Sequence, residues 1–211
     1  MTATSFKTQL AVFLLTTTSC IAQITLGLQA GVNWSALHTN PGTGDVYGTG
    51  SGNNLGLLVQ SKMSNDFYLV GSLFYIKKTV PWLIHPNLKL SEPDMELQFE
   101  FTQFSASVKK EFSIYDFRPY IIAGGSYAYL NSGSFIDSRF GPAYTGDLTS
   151  ELKRSDLDLN LGLGLAYSAL EAISIFIDVK YSYDLLNLSK NSGAFINTKT
   201  TQLWCGVLFG V

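Results

Sequence analysis

The stretch Asp156-Leu157-Asp158-Leu159-Asn160-Leu161-Gly162-Leu163-Gly164-Leu165-Ala166-Tyr167 puts a large apolar residue at every odd position and a small or polar one at every even position. Period two is the signature of a β-strand, whose side chains point alternately to its two faces. The chemistry of the second face carries the fold. In a soluble sandwich that face meets water and favours Thr, Lys and Glu, whereas glycine weakens a strand unless something crowds against it. Here the small and polar face is the crowded one. A small membrane barrel has that arrangement, with a broad apolar face toward lipid and a narrow interior that selects small and hydrogen-bonding side chains.

Composition agrees. The 211 residues suit one domain, and 46% hydrophobic with 14% charged is more apolar and less charged than a typical soluble domain. A net charge of −2 gives no electrostatic case for nucleic acid. Spanning helices are excluded, because no run of about 18 apolar residues occurs. Of the two cysteines, Cys20 falls in a segment expected to be removed, so Cys205 has no disulfide partner.

Residues 1–22 read as a secretory signal, with Lys7, a short apolar run from Leu10 to Leu15, and small residues around Ala22. Cleavage is expected before Gln23, leaving 23–211 as the barrel domain. Cys20 is a candidate for lipidation, but Thr17 stands where a lipoprotein signal has an aliphatic residue.

Seven further segments repeat the alternation: Ile24 to Trp34, Leu55 to Ser61, Phe67 to Lys77, a fourth from Met95, Tyr120 to Leu130, Ile173 to Asp184, and a last one around Leu203 to Phe209. In the fourth, Met95, Leu97, Phe99 and Phe101 alternate with Glu96, Gln98, Glu100 and Thr102, and the apolar phase then shifts to Phe104, Ala106 and Val108. That shift marks either a bulge or a strand leaving the membrane. Between strands the connections alternate long and short. Ser35–Asn53, Thr79–Pro93, Asn131–Arg154 and Leu186–Thr198 read as long loops, the second because three prolines cannot all serve inside a ladder; Met63–Asp66, Glu111–Phe117 and Ser168–Ala172 read as short turns. The fold class expected is all-β: an eight-stranded antiparallel up-and-down transmembrane barrel with short turns in the periplasm and long loops outside. The structural rival is a soluble lipocalin-like barrel that binds apolar ligands, but its outer face should be charged, and Gly27, Gly31, Gly162, Gly164 and Gly206 occupy the corresponding positions.

These segments also resemble the small outer-membrane barrels of Bacteroidota known as PorT-like or outer membrane protein β-barrel domain proteins. The likeness rests on Leu26-Gly27-Leu28-Gln29-Ala30-Gly31-Val32-Asn33-Trp34-Ser35, Leu73-Phe74-Tyr75-Ile76-Lys77-Lys78, Leu161 to Tyr167, and Lys180 to Leu188. The resemblance implies an outer-membrane location in a Gram-negative cell and, for some members, a link to secretion or gliding.

Glu96, Glu100, Asp156, Asp158, Asn160, Asp178, Lys180 and Asp184 are expected to face the lumen as a structural polar network, because buried charges need partners. A network of that kind plugs so narrow a barrel; the sharper reading of these carboxylates is a weak cation site or a proton path, and the alternative function is a narrow passive channel or transport barrel. Asp156 and Asp158 have the spacing of a metal pair but lack the glycine-centred loop of calcium sites, so no metal or cofactor is assigned. His38 and His85 fall in expected loops, where a hydrolase could pair them with Ser35, Asp45 or Asp94, yet loop histidines are more often plain solvated residues. The expectation is therefore a monomeric, non-enzymatic protein embedded in outer-membrane lipid. Its loops, including Trp82, Phe135, Phe140 and Tyr144, are candidates for contacting other envelope proteins.

Overall fold

The computed structural model describes residues 24–39, 46–83, 95–137, 143–190 and 196–210. The signal segment, the cut before Gln23, His85, Asp45, Asp94 and Phe140 lie outside these residues.

Among the described residues ten strands form one sheet: β1 (Ile24–Thr39), β2 (Val46–Tyr47), β3 (Thr49–Lys62), β4 (Phe67–Leu83), β5 (Met95–Glu111), β6 (Phe117–Asp137), β7 (Tyr144–Asp147), β8 (Ser155–Leu170), β9 (Ile173–Asp184) and β10 (Ile196–Gly210). Every pairing is antiparallel. Eight of the strands, in the order β4-β3-β1-β10-β9-β8-β6-β5, close into a barrel through the β4–β5 pair, while β2 and β7 are short additions to β4 and β6.

Closure has a defined stagger. Ile24 pairs with Ser61, Ser61 with Leu69, and the path continues through Val108, Ala123, Leu161, Tyr181 and Thr201 back to β1 at Trp34. The ring thus returns ten residues further along the strand on which it began, and such a stagger is what tilts strands in a closed barrel. One residue over, a parallel path runs through Gln60, Val70, Ser107, Gly124, Asn160, Ser182 and Thr200 to Ser35. The first ring faces out and is mostly apolar; the second faces in and is mostly polar.

Burial follows the alternation. On β8, Leu161 and Leu163 are two-thirds exposed while Asp158, Gly162 and Ala166 are buried. Glycines stand inside where large neighbours need the room: a Cβ on Gly164 would meet the Tyr120 ring at 2.2 Å, and one on Gly206 would meet the Leu28 carbonyl at 2.4 Å and the Phe176 ring at 2.5 Å. Aromatic residues rim the apolar outer band, with Trp34, Tyr75, Tyr129 and Tyr183 toward one end and Phe67, Phe117, Tyr167 and Phe209 toward the other, as interfacial girdles do.

The strands outrun the expected boundaries at the long-loop end. Ser35–Thr39 continue β1, Thr49 already opens β3, β6 reaches Asp137 and pairs with β7 inside the expected third loop, and β10 starts at Ile196. Pro81, expected in a loop, sits within β4. Its carbonyl accepts the Gly48 amide at 3.0 Å, so the missing N–H falls on the side of the two-residue β2, where little ladder is lost. Glu111, assigned to a turn, is the buried last residue of β5.

No bulge follows Gln103. Odd residues of β5 point inward from Met95 to Glu111 without a break, and the register irregularity lies on the partner strand, where Glu100 pairs with Ser132 and Phe101 with Leu130, leaving Asn131 over. The apolar phase shift records a change of surroundings along one regular strand.

Candidate functional site

The chemistry of this molecule lies in its interior and in the collar above it. At the short-turn end the lumen holds an ion-pair network. Lys109 Nζ lies 2.7 Å from Glu111 Oε1 and donates to Gln60 Oε1 at 2.6 Å, and Arg118 lies 3.5 Å from the other Glu111 oxygen. Lys109 also sits over the rings of Tyr68 and Tyr120, the Tyr120 hydroxyl donates to Asp178 at 3.0 Å, and Lys180 lies 3.4 Å from the same carboxylate. Buried charges persist only when paired in this way. Leu58, Ile122, Phe176 and Leu208 pack around them.

Mid-barrel, Trp204 fills the cross-section with Phe74 and Ile76; the Phe74 ring meets it edge-on at 5.3 Å, and its indole N–H donates to Gln202 at 2.8 Å. Beside it Asn33 donates to Asn54 Oδ1 at 2.6 Å and to the Lys77 carbonyl at 2.9 Å. Two lumenal cavities next to Lys180 measure about 20 and 10 Å³, each roughly the room one water needs.

Toward the long-loop end lies an acidic layer. Asp156, Asp158 and Asp184 are all buried and bring one oxygen each to within 4.8 Å of one another. Asp158 accepts from Ser126 at 2.9 Å and from Gln103, while Asp184 accepts from the Thr198 amide at 2.8 Å and the Thr198 hydroxyl. Asn160 and Ser182 link this layer to Gln202.

Above the acids the interior turns apolar. Leu37, Val80, Leu97, Phe99, Phe101, Ala128, Leu130 and Leu152 form one buried cluster, against which Phe135 and Leu148 pack. Here Glu96 and Glu100, assigned to the lumenal network, face outward. Glu100 pairs across the strands with Lys77 and accepts from Ser132 at 3.1 Å. The reversal has a simple cause. This part of the barrel stands in water, so apolar side chains take the inside and charges the outside, as in a soluble protein. On the collar, hydrogen bonds from the Thr149 hydroxyl and amide hold the exposed Asp147 carboxyl below the usual carboxylate range.

Six of the eight predicted network residues are therefore inside: Asp156, Asp158, Asn160, Asp178, Lys180 and Asp184. Gln60, Lys109, Glu111 and Arg118 were not predicted among them, although strict counting along β3 and β5 puts Gln60, Lys109 and Glu111 on the inner face. Of the loop aromatics, Phe135 packs against Tyr144 with the rings tilted by 55° and their centres 5.9 Å apart, and Tyr144 is exposed. Trp82 lies in β4, at the rim of the collar. Ser35, the candidate hydrolase serine, is not in a loop: it is buried in the lumen 3.1 Å from Thr200. Cys205 lies on the outer face as expected.

A closed barrel with an apolar outside and a charged, hydrogen-bonded inside matches lipid as its surroundings. It is similar in structure to Neisserial surface protein A, at 14% identity with a TM-score of 0.51 over 88% of this chain and 97% of that one. It is also similar to the outer membrane protein OprG from Pseudomonas aeruginosa, at 11% identity with a TM-score of 0.52 over 90% of this chain and 96% of that one. The fold is that of a small outer-membrane β-barrel. By sequence, neither a protein-family profile nor a curated protein matches the chain. The likeness is thus one of fold, and the polar layers and the collar described above are read from this chain's own residues.

Proposed function

We propose that this chain is a monomeric outer-membrane protein of a Gram-negative cell, non-enzymatic, whose filled barrel anchors a rigid collar that contacts other envelope components. The collar carries the reading. β4, β5 and β6 continue past the lipid-facing band over seven residues of β5, roughly 18 Å at ordinary strand rise and tilt, and enclose an apolar core of their own. A barrel needs no such extension to sit in lipid. A preorganised platform that presents Tyr144 and Glu96 above the headgroups suits recognition. The packed lumen supports a plug over a channel, since the two cavities beside Lys180 have room for only about one water each and Trp204 is fully buried between them and the acidic layer.

A photo-crosslinking residue in place of Tyr144, activated in intact cells, tests this. A discrete adduct of reproducible size is expected, and a smear no different from that given by the same residue at Ser150 would count against a specific contact. Stable single-channel steps from purified protein in planar bilayers would remove the plug. A PorT-like link to secretion is the finer form of the proposal; unchanged secretion in a strain lacking the protein would remove that form alone.

A further inference from the structure

We infer that Asp156, Asp158 and Asp184 form a structural site for one calcium-class divalent cation, sealed into the barrel beneath the collar core. Two observations converge. First, each carboxylate is fixed by donors around it: the Leu157 amide holds Asp156 at 2.8 Å, Ser126 and Gln103 hold one oxygen of Asp158, and Thr198 holds one oxygen of Asp184. Hydrogen bonds that orient ligand carboxylates are the usual second layer of a metal site. Second, the remaining oxygens of Asp158 and Asp184, the Oδ1 atoms, are fully buried and have no hydrogen-bond donor among the described residues. Asp158 and Asp184 are cross-strand partners, so these two acids face each other across one rung of the ladder.

Charge leads to the same place. Among the described residues Lys78 is the cation that acts on Asp156 and Asp158; it donates to Thr198 at 3.0 Å and leans on the Phe101 ring. When all three acids are ionised, as ligands to a metal must be, three carboxylates against one ammonium leave two negative charges over, and a divalent ion cancels them. Size selects the ion. Oxygens within 4.8 Å of one another can surround a Ca²⁺ bound at about 2.3–2.6 Å, whereas Mg²⁺ demands near-ideal octahedral geometry at about 2.0–2.1 Å, which three carboxylates fixed by their own donors suit less well. The apolar cluster above the layer means that the ion enters as the barrel closes, so exchange after folding is slow.

The test uses the full mature barrel, refolded from urea into detergent with EDTA, with Ca²⁺ or with Mg²⁺, then freed of loose ions and assayed for bound metal and for unfolding temperature. About one Ca²⁺ per barrel and a higher unfolding temperature in Ca²⁺ alone are expected. The Asp184→Asn variant should weaken half-saturation by tenfold or more, and Lys78→Met, which removes the repelling ammonium, should strengthen it. Absence of retained metal together with an unfolding temperature indifferent to Ca²⁺ would overturn the inference. It would be overturned equally if Asp184→Asn raised the unfolding temperature in EDTA and in Ca²⁺ alike, because the acids would then be merely repelling one another. Should either variant fail to refold, the wild-type metal content decides alone.

Discussion

Phe101 and Phe104 stand three residues apart on the same uninterrupted strand, yet one is 3% exposed inside the collar and the other 53% exposed on the outer face. Three residues apart means opposite faces, so the two rings seek apolar surroundings in opposite directions. Below this point the apolar medium is lipid, outside the barrel; above it the only apolar medium is the barrel's own interior. The pair locates the boundary of the membrane on β5.

Charges introduced on either side of that boundary should behave differently. Leu161→Arg, in the middle of the lipid-facing band of β8, should cost about 2–4 kcal/mol, read as a lower urea midpoint of the barrel refolded in lipid vesicles. Glu100→Arg, on the same outer face but within the collar, should change the midpoint little. Equal losses at both positions would place lipid against the collar.

Truncating the collar core should cost what a soluble core costs. Phe101→Ala removes a buried ring from the cluster that includes Leu130 and Leu152, and about 3–5 kcal/mol of stability should go with it. Protease cleavage near Tyr144 in otherwise folded barrels would show the loss locally.

Gly164 is set by Tyr120. An added Cβ would meet only that ring among its nearest atoms, so Gly164→Ala should destabilise by about 1–3 kcal/mol through overpacking. The double variant with Tyr120→Ala should lose less than the sum of the two single losses, measured as a double-mutant cycle. Additive losses would separate the two residues.

At the short-turn end, Lys109→Met leaves buried Glu111 with Arg118 at 3.5 Å as its cationic partner. About 3 kcal/mol should be lost, because the remaining charge is poorly compensated. Replacing Glu111 with Leu in the same chain should restore much of the midpoint.

Much of this was legible in the sequence because the lipid-facing strands obey one rule throughout. Leu157 to Tyr167 and Ile173 to Tyr183 face out, and the residues between them face in, with Asp156, Asp158, Asp178 and Asp184 in the lumen. The rule assumes one medium along each strand, and it fails where the medium changes. Glu96 and Glu100 were placed inside for that reason: on β5 they alternate with Phe99 and Phe101, and periodicity cannot say which side of a ring is water. The collar also hid Pro81, whose effect on a ladder depends on whether a partner strand lies on its N–H side. Convergence of Asp156, Asp158 and Asp184 needed the β8–β9 register, which no single strand's pattern contains.

Cysteine scanning along the outer face of β5 tests the medium boundary most directly. In a Cys205→Ala background, single cysteines at Glu96, Glu100, Phe104 and Ala106 would be treated on intact cells with a membrane-impermeant maleimide. The account predicts rapid labelling at 96 and 100 and protection at 104 and 106. Equal labelling at all four positions, or protection at 96 and 100 with labelling at 104, would contradict it.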